Sequence, residues 1–305
     1  MSDVQAGLTS LLKELKLRNQ LPKNMDVSKF CDRYWFVCHD EDNSKIISEN
    51  STTGFSDDGN VALLKALSER VERLAFREGY ENKIPSCMTE RSDGFAAFPL
   101  FYKNAESKAR ESALAEAVER YVWAKWWDDE SIAFELDSIS NYVNKHKILP
   151  YVATVKSQCD IEEIFVIEPK VENSNRLSVV ILFGRLKSGG FISGGACGEI
   201  DDTKQILLRS LDELYRHGLA INKIRLEYTE PVTFYEKRLA YFGFGHGNHL
   251  IRKRLEAKGG ESIVLPKLIF DEVVSHGLQD LFQVHRCYFE NQPAFVGGAL
   301  ERLCL

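Results

Sequence analysis

An eight-residue frame that occurs twice limits what this chain can fold into. Residues 66–73 and residues 113–120 both read A-L-x-E-x-V-E-R. Each lies in a helix-favouring stretch, and in a helix positions i and i+3 share a face. Glu69 is therefore expected beside Glu72, and Glu116 beside Glu119, with Arg73 and Arg120 one position further round. Adjacent carboxylates repel unless a cation or a screened surface relieves them. One E-x-x-E-R is ordinary solvated helix. Two in one frame, with a partial echo in Leu211, Glu213 and Arg216, point to a common role.

Composition narrows the classes. With 305 residues, 44% hydrophobic and 28% charged, the chain can fill a core as one large domain or two closely packed ones. A net charge of −6 leaves no Lys/Arg excess for phosphate backbones, which argues against nucleic acid as a partner. Cys31, Cys38, Cys87, Cys159, Cys197, Cys287 and Cys304 form no C-x-x-C pair and are odd in number. They read as reduced thiols of a cytoplasmic protein, not as a disulfide framework or a structural zinc site. No signal-peptide core and no apolar run of membrane length is present, so no membrane partner is expected.

Along the chain, apolar spacing predicts a docking helix over 3–17 and a short strand over 34–38. Residues 51–60 (STTGFSDDGN) read as a loop rich in N-cap residues, feeding a helix from about 58 to 77 with Gly79 as its stop. A polar turn at 91–97 precedes a second helix over about 105–127, whose Tyr121, Trp123, Trp126 and Trp127 read as core. Strand-like pieces follow at 150–155 and 164–168, and a soft subdivision near 175. The buried run 177–183 and the glycines up to Gly198 suggest a hairpin with close backbone approach; they contain neither G-K-[S/T] nor G-x-G-x-x-G. A third helix over 206–216, a broken helical stretch at 233–258 and a strand at 283–289 complete the reading. His246 and His249 form an H-x-x-H without a third ligand nearby. Cys197 has no indicated base, and His285 reads as a structural histidine.

If the three helices pack together, four or five carboxylates converge, and buried carboxylates need cations. Ligands that are all oxygen select Mg²⁺ over zinc, and carboxylate-held Mg²⁺ usually bridges phosphates. The residues thus suggest a nucleoside-triphosphate site without a P-loop.

Three segments, in order, resemble the YcaO family of ATP-dependent enzymes that activate backbone amides in peptide modification. Gly54 to Arg73 resembles its Gly/Ser loop and A-L-x-E-x-x-E-R helix. Ser92-Asp93-Gly94-Phe95-Ala96-Ala97, leading to the second frame and its tryptophans, resembles S-N-G-x-A-A followed by A-L-x-E-x-x-E-R and W. Gly194-Gly195-Ala196, leading to Ser210-Leu211-Asp212-Glu213-Leu214-Tyr215, resembles G-x-A followed by A-L-x-E-L-x-Q.

The resemblance, over about 50–300, implies a mixed α/β (α+β) fold with mixed sheets, pseudo-repeated halves and glutamate-bearing helices around an ATP cleft. Residues 51–305 would form this catalytic domain, preceded by a docking helix and strand in 1–50. It implies that Glu69, Glu72, Glu116, Glu119 and Glu213 ligate Mg²⁺ and that Arg120 contacts phosphate, making Glu119 and Arg120 the catalytic pair. Ser92 and Asp93 would line the nucleotide, with Lys65 and Arg216 as further nucleotide contacts. The implied chemistry is phosphorylation of a peptide amide oxygen by ATP, most often in cyclodehydration of Cys, Ser or Thr to azolines. The same activation serves thioamide formation, and a non-catalytic scaffold is the alternative of another class. A precursor peptide, a separate leader-binding or sulfur-handling protein, and homo- or hetero-oligomers are the implied partners, because no room is left for a fused leader-binding domain. The chain departs from the family pattern at Phe55 for Lys, Asp93 for Asn, Lys108 for an acidic residue and Arg216 for Gln, and it lacks a Pro-rich tail.

Overall fold

The computed structural model describes residues 3–39, 51–81, 93–172, 176–227, 231, 233–293 and 299–302. Mixed α and β elements follow one another: α1 (Asp3–Leu17), β1 (Asn24–Phe30), β2 (Arg33–His39), β3 (Ser51–Ser56), α2 (Gly59–Glu81), β4 (Gly94–Pro99), α3 (Ala105–Asp128), β5 (Phe134–Ser138), α4 (Ser140–His146), α5 (Leu149–Gln158), β6 (Ile161–Pro169) and β7 (Val171–Glu172). They continue with β8 (Leu177–Leu186), β9 (Phe191–Glu199), α6 (Thr203–Glu227), α7 (Phe234–Gly243), α8 (Asn248–Glu256), β10 (Ile263–Val264), β11 (Leu268–Val273) and β12 (Phe282–Phe289). The chain forms two compact units: Met1–Thr89 with Phe95–Leu114 and Phe270–Cys287, and Glu90–Gly94 with Ala115–Ile269 and Tyr288–Leu305.

In the first unit, α1 and α2 bury Leu8, Leu11, Leu15, Leu64, Leu67 and Val71 in one core with Cys38, Ala97, Phe282 and Val284. The heptad-like spacing of the leucines in α1 supplies its buried stripe. Strands β1, β2 and β3 form an antiparallel sheet in that order. Residues 51–56 are thus a strand, not the expected loop, registered from Ser51 opposite His39 to Ser56 opposite Tyr34. Their hydroxyls are used locally: Thr52 Oγ1 donates to the Ala66 carbonyl of α2 at 2.9 Å. The helix start falls where expected, because Asp58 Oδ1 accepts from the Asn60 and Val61 amides at 2.8 and 3.1 Å. The helix then runs through Gly79 to Glu81 instead of stopping there. A second sheet has the order β11-β12-β4, so the stretch expected as a polar turn at 91–97 contains the start of a strand at Gly94.

In the second unit, β5-β6-β8-β9 form an antiparallel sheet in that order. The β8–β9 hairpin is the expected one and turns through Gly189 at φ +93°. Residues 150–155 are helical, not strand-like: Pro150 sits in the first turn of α5, and Tyr151, Val152 and Val155 are buried on one helical face. Of the expected aromatic core, Trp123 and Trp126 are fully buried, with Trp126 packed against Phe183, whereas Tyr121 and Trp127 are part-buried. The Arg254 guanidinium lies 4.3 Å from the Trp126 ring centroid. Among the described residues no helix is long and apolar enough to cross a membrane.

Candidate metal and nucleotide site

The two octad frames acquire the same pattern of partners. In α2, Arg73 pairs with Glu69 at 2.6 Å, and Glu72 Oε1 accepts the Ala97 amide of β4 at 2.8 Å. In α3, Arg120 pairs with Glu116 at 2.5 Å, and Glu119 Oε2 accepts the Cys197 amide of β9 at 3.0 Å. The first glutamate of each frame meets the arginine four residues on, as i,i+4 geometry dictates. The second reaches a backbone N–H of a strand distant in sequence. Glu69 is held as well, by the Thr53 amide of β3 at 2.6 Å. All four glutamates are half-buried.

Glycines set how closely these helices and strands approach. A Cβ at Gly54 would lie 2.0 Å from the Ala62 carbonyl oxygen and 2.6 Å from the Ala66 nitrogen. Only glycine lets β3 lie on α2 this closely and bring the Thr53 amide to Glu69. In β9, a Cβ at Gly194 would lie 2.5 Å from the Leu214 nitrogen of α6, and one at Gly195 would lie 2.5 Å from the Trp123 ring of α3. Successive strand residues face opposite ways, so β9 is gripped by α6 on one face and by α3 on the other.

This sandwich gathers charge in the second unit. Burial first, then Glu116, push the Glu119 carboxyl up from 4.5 to about 7. Glu213 adds to the rise, and Arg209 and Arg120 act against it without cancelling it. Glu213 is met by Arg216 at 2.5 Å, and the His217 Nε2 atom lies 3.6 Å from it. Arg120 also donates to the Asp93 carbonyl at 2.7 Å, and the Asp93 side chain is buried. Separately, within the first unit, Lys65 donates to the Phe55 carbonyl at 2.9 Å, which brings its ammonium to the residue where the YcaO pattern has lysine. The Phe55 ring itself is stacked on Trp35 with centroids 5.4 Å apart. Ser92 lies outside the described residues.

The carboxylates in the second unit influence one another without forming a ready-made cage. Among the described residues, the one group of three ligand-type side chains with all donor atoms within 4.8 Å is elsewhere, at Asp271, His285 and Cys287.

Arg209 and His217 were missed by the sequence reading. They stand four residues to either side of Glu213 on α6, so a stripe of titratable side chains at i, i+4 and i+8 was legible but unread. Arg209 also donates to the Cys197 carbonyl, so the residue whose amide holds Glu119 is fixed from both sides. Cys197 is no nucleophile: burial, followed by Glu119, pushes its thiol far above the usual range.

His217 is fully buried, with Nδ1 2.6 Å from the Ser193 carbonyl and therefore donating. Burial, then Arg216, push its pKa down from 6.5 to about 3. The folded chain thus binds fewer protons than the unfolded one between these values. The stabilisation is complete above about pH 6.5 and is lost as pH falls toward 3, by about 1.4 kcal/mol per unit where the slope is steepest. Glu119 gains stability over part of the same range, so the difference carries the effect: between pH 6.5 and 4 the wild-type urea midpoint is expected to drop relative to that of His217→Gln. Equal falls in both would remove His217 as the cause.

No protein-family model matches the chain, and no curated protein sequence matches it. Solved structures do. YcaO from Methanopyrus kandleri, bound with AMPPCP and Mg²⁺, superposes with a TM-score of 0.53 at 15% identity, covering 95% of this chain and 92% of that one. The E. coli microcin synthetase McbBCD complex gives a TM-score of 0.55 at 13% identity with pro-MccB17 bound, covering 87% of both chains. The same complex is also matched with a TM-score of 0.52 at 12% identity, over 87% of this chain and 86% of that one. At these identities the likeness is one of fold, and the mixed α/β fold expected from the motifs is the one found.

Proposed function

We propose that this chain of YcaO fold is an ATP- and Mg²⁺-dependent enzyme that activates backbone amides of a peptide. One observation carries the reading. In both frames the second glutamate is built onto a strand amide in a half-buried position, and at Glu119 the protein's own arginines do not offset the cost of ionisation. A carboxylate so placed ionises readily only when a further cation joins it. Glu69 and Glu72 in the first unit, and Glu116, Glu119 and Glu213 in the second, offer oxygen alone, a donor type that suits Mg²⁺. The related fold bound with AMPPCP and Mg²⁺ supports this ligand choice, and the McbBCD complex with pro-MccB17 bound supports a peptide substrate and separate partner proteins.

When bound, Mg²⁺ offsets the charge of the ATP phosphates and of the phosphoryl group in transfer. Arg120, fixed between Glu116 and the Asp93 carbonyl, is in our reading the phosphate contact. Asp93 and Ser92 line the nucleotide, and Lys65 and Arg216 supply further cations. In the reaction, a substrate Cys, Ser or Thr side chain loses its S–H or O–H proton and adds to the preceding amide carbon, leaving the negative charge on the amide oxygen. The amide oxygen takes the γ-phosphoryl group and ADP departs. Loss of the N–H proton and of phosphate then leaves the C=N bond of an azoline. An external sulfide entering by the same activation gives a thioamide, because the carboxylate set acts on the phosphoryl group and not on the nucleophile.

Calorimetry with AMPPCP and Mg²⁺ tests this directly. One-site binding is expected in the wild type, vanishing in EDTA and in a Glu72→Ala variant that keeps its circular dichroism. A folded wild-type chain that binds no nucleotide would favour the non-catalytic scaffold and end this proposal.

A further inference from the structure

Away from the glutamates, three ligand-type side chains of the first unit meet on neighbouring strands. His285 and Cys287 are two apart on β12 and so share a face. Asp271 comes from the adjacent strand β11. Its Oδ1 accepts from His285 Nε2 at 2.8 Å and from the Cys287 thiol at 3.5 Å. All three donor atoms lie within 4.8 Å of one another. The histidine and the cysteine are buried, while the carboxylate is partly open to solvent.

We propose that Asp271, His285 and Cys287 bind a divalent transition-metal ion of the zinc class. The donor set is one sulfur, one imidazole nitrogen and one carboxylate oxygen, the borderline-soft mixture that zinc takes and Mg²⁺ does not. Zinc bonds of about 2.0–2.3 Å place tetrahedral donors about 3.3–3.8 Å apart, so small side-chain shifts bring the present separations to that geometry. Arg110, on the first half of α3, grips Asp271 with Nη2 on Oδ2 at 2.5 Å and Nε 2.9 Å from both oxygens. This fork holds the carboxyl ionised and orients it, as outer-shell partners of metal-bound carboxylates do. The His285 Nδ1 atom has no hydrogen-bond partner among the described residues, so what occupies Nε2 decides the ring's tautomer. Water entering at the partly exposed Asp271 would supply the fourth ligand. Such an ion would tie β11 to β12 independently of any nucleotide.

Cobalt(II) is the probe. The full chain, stripped with EDTA, is titrated with Co²⁺ and followed for the thiolate-to-cobalt charge-transfer band. One Co²⁺ per chain is expected, displaced by Zn²⁺ and not by Mg²⁺. The band is expected to persist in Cys31→Ser, to vanish in Cys287→Ser, and to need at least tenfold more Co²⁺ in Asp271→Asn. If Cys287→Ser does not fold, alkylation of the wild type reads the same contact: Zn²⁺ should protect Cys287 from the reagent. No band in the wild type, a band that survives Cys287→Ser, or Cys287 alkylated equally with and without Zn²⁺ overturns the assignment. None of these results bears on Mg²⁺-dependent ATP binding, so the two readings stand or fall separately.

Discussion

Glu119→Gln is expected to abolish ATP turnover while making the ion-free protein more stable at pH 8. The Glu119 carboxyl titrates at about 7 in the fold against 4.5 ordinarily, through burial first and Glu116 second. The folded state therefore holds this proton more tightly than the unfolded chain. Its contribution to stability is complete below about pH 4.5 and is lost as pH rises through 7. After allowance for residual solvent screening, the ionised group costs about 2 kcal/mol at pH 8. Glutamine keeps an acceptor for the Cys197 amide and removes the charge. In EDTA, the variant's melting temperature is expected above the wild type's at pH 8 and level with it at pH 5. Turnover with Mg²⁺, peptide and partner is expected to fall by about two orders of magnitude or more. A cation answers the same repulsion, so Mg²⁺ is expected to stabilise the wild type more at pH 8 than at pH 6. Wild-type turnover in Glu119→Gln would sink the metal role.

Gly54→Ala is expected to be among the most damaging single-methyl changes in the first unit. The added Cβ falls 2.0 Å from one backbone atom of α2 and 2.6 Å from another, so no side chain can swing aside to accept it. Either β3 separates from α2 or the helix bends, at a cost of about 3 kcal/mol or more. Separation also withdraws the Thr53 amide from Glu69. The urea midpoint measures this loss. By contrast, a Cβ at Gly189 meets nothing within 4 Å, and only its φ of +93° opposes a side chain, so Gly189→Ala should cost about 1 kcal/mol. A Gly54→Ala midpoint equal to that of the wild type would contradict the close approach.

The sequence revealed what was local. The two frames, the third helix and the β8–β9 hairpin were readable because helical spacing and glycine act over a few residues, and the i,i+4 pairs followed from the same geometry. Residues 51–56 were misread because Ser, Thr and Gly signal loops, whereas here the hydroxyls bond α2 and the glycine permits contact. Residues 150–155 were misread because Tyr and Val favour strands, while burial of Tyr151, Val152 and Val155 follows a helical face. The amides of Ala97 and Cys197 lay beyond reach, since any residue carries an N–H and only the fold selects which one meets a glutamate. The Asp271–His285–Cys287 group was hidden for a related reason: two members share a strand, but the third arrives from the next one.

The amides that hold Glu69, Glu72 and Glu119 also bear on entropy. A free glutamate side chain samples many rotamers, and fixing one costs up to about 1.5–2 kcal/mol. In this fold that ordering takes place during folding, when the strand N–H groups take up the carboxylates. On the proposed Mg²⁺ reading, an arriving ion would meet side chains whose freedom has already been surrendered, so less of its binding energy would be consumed in organising them.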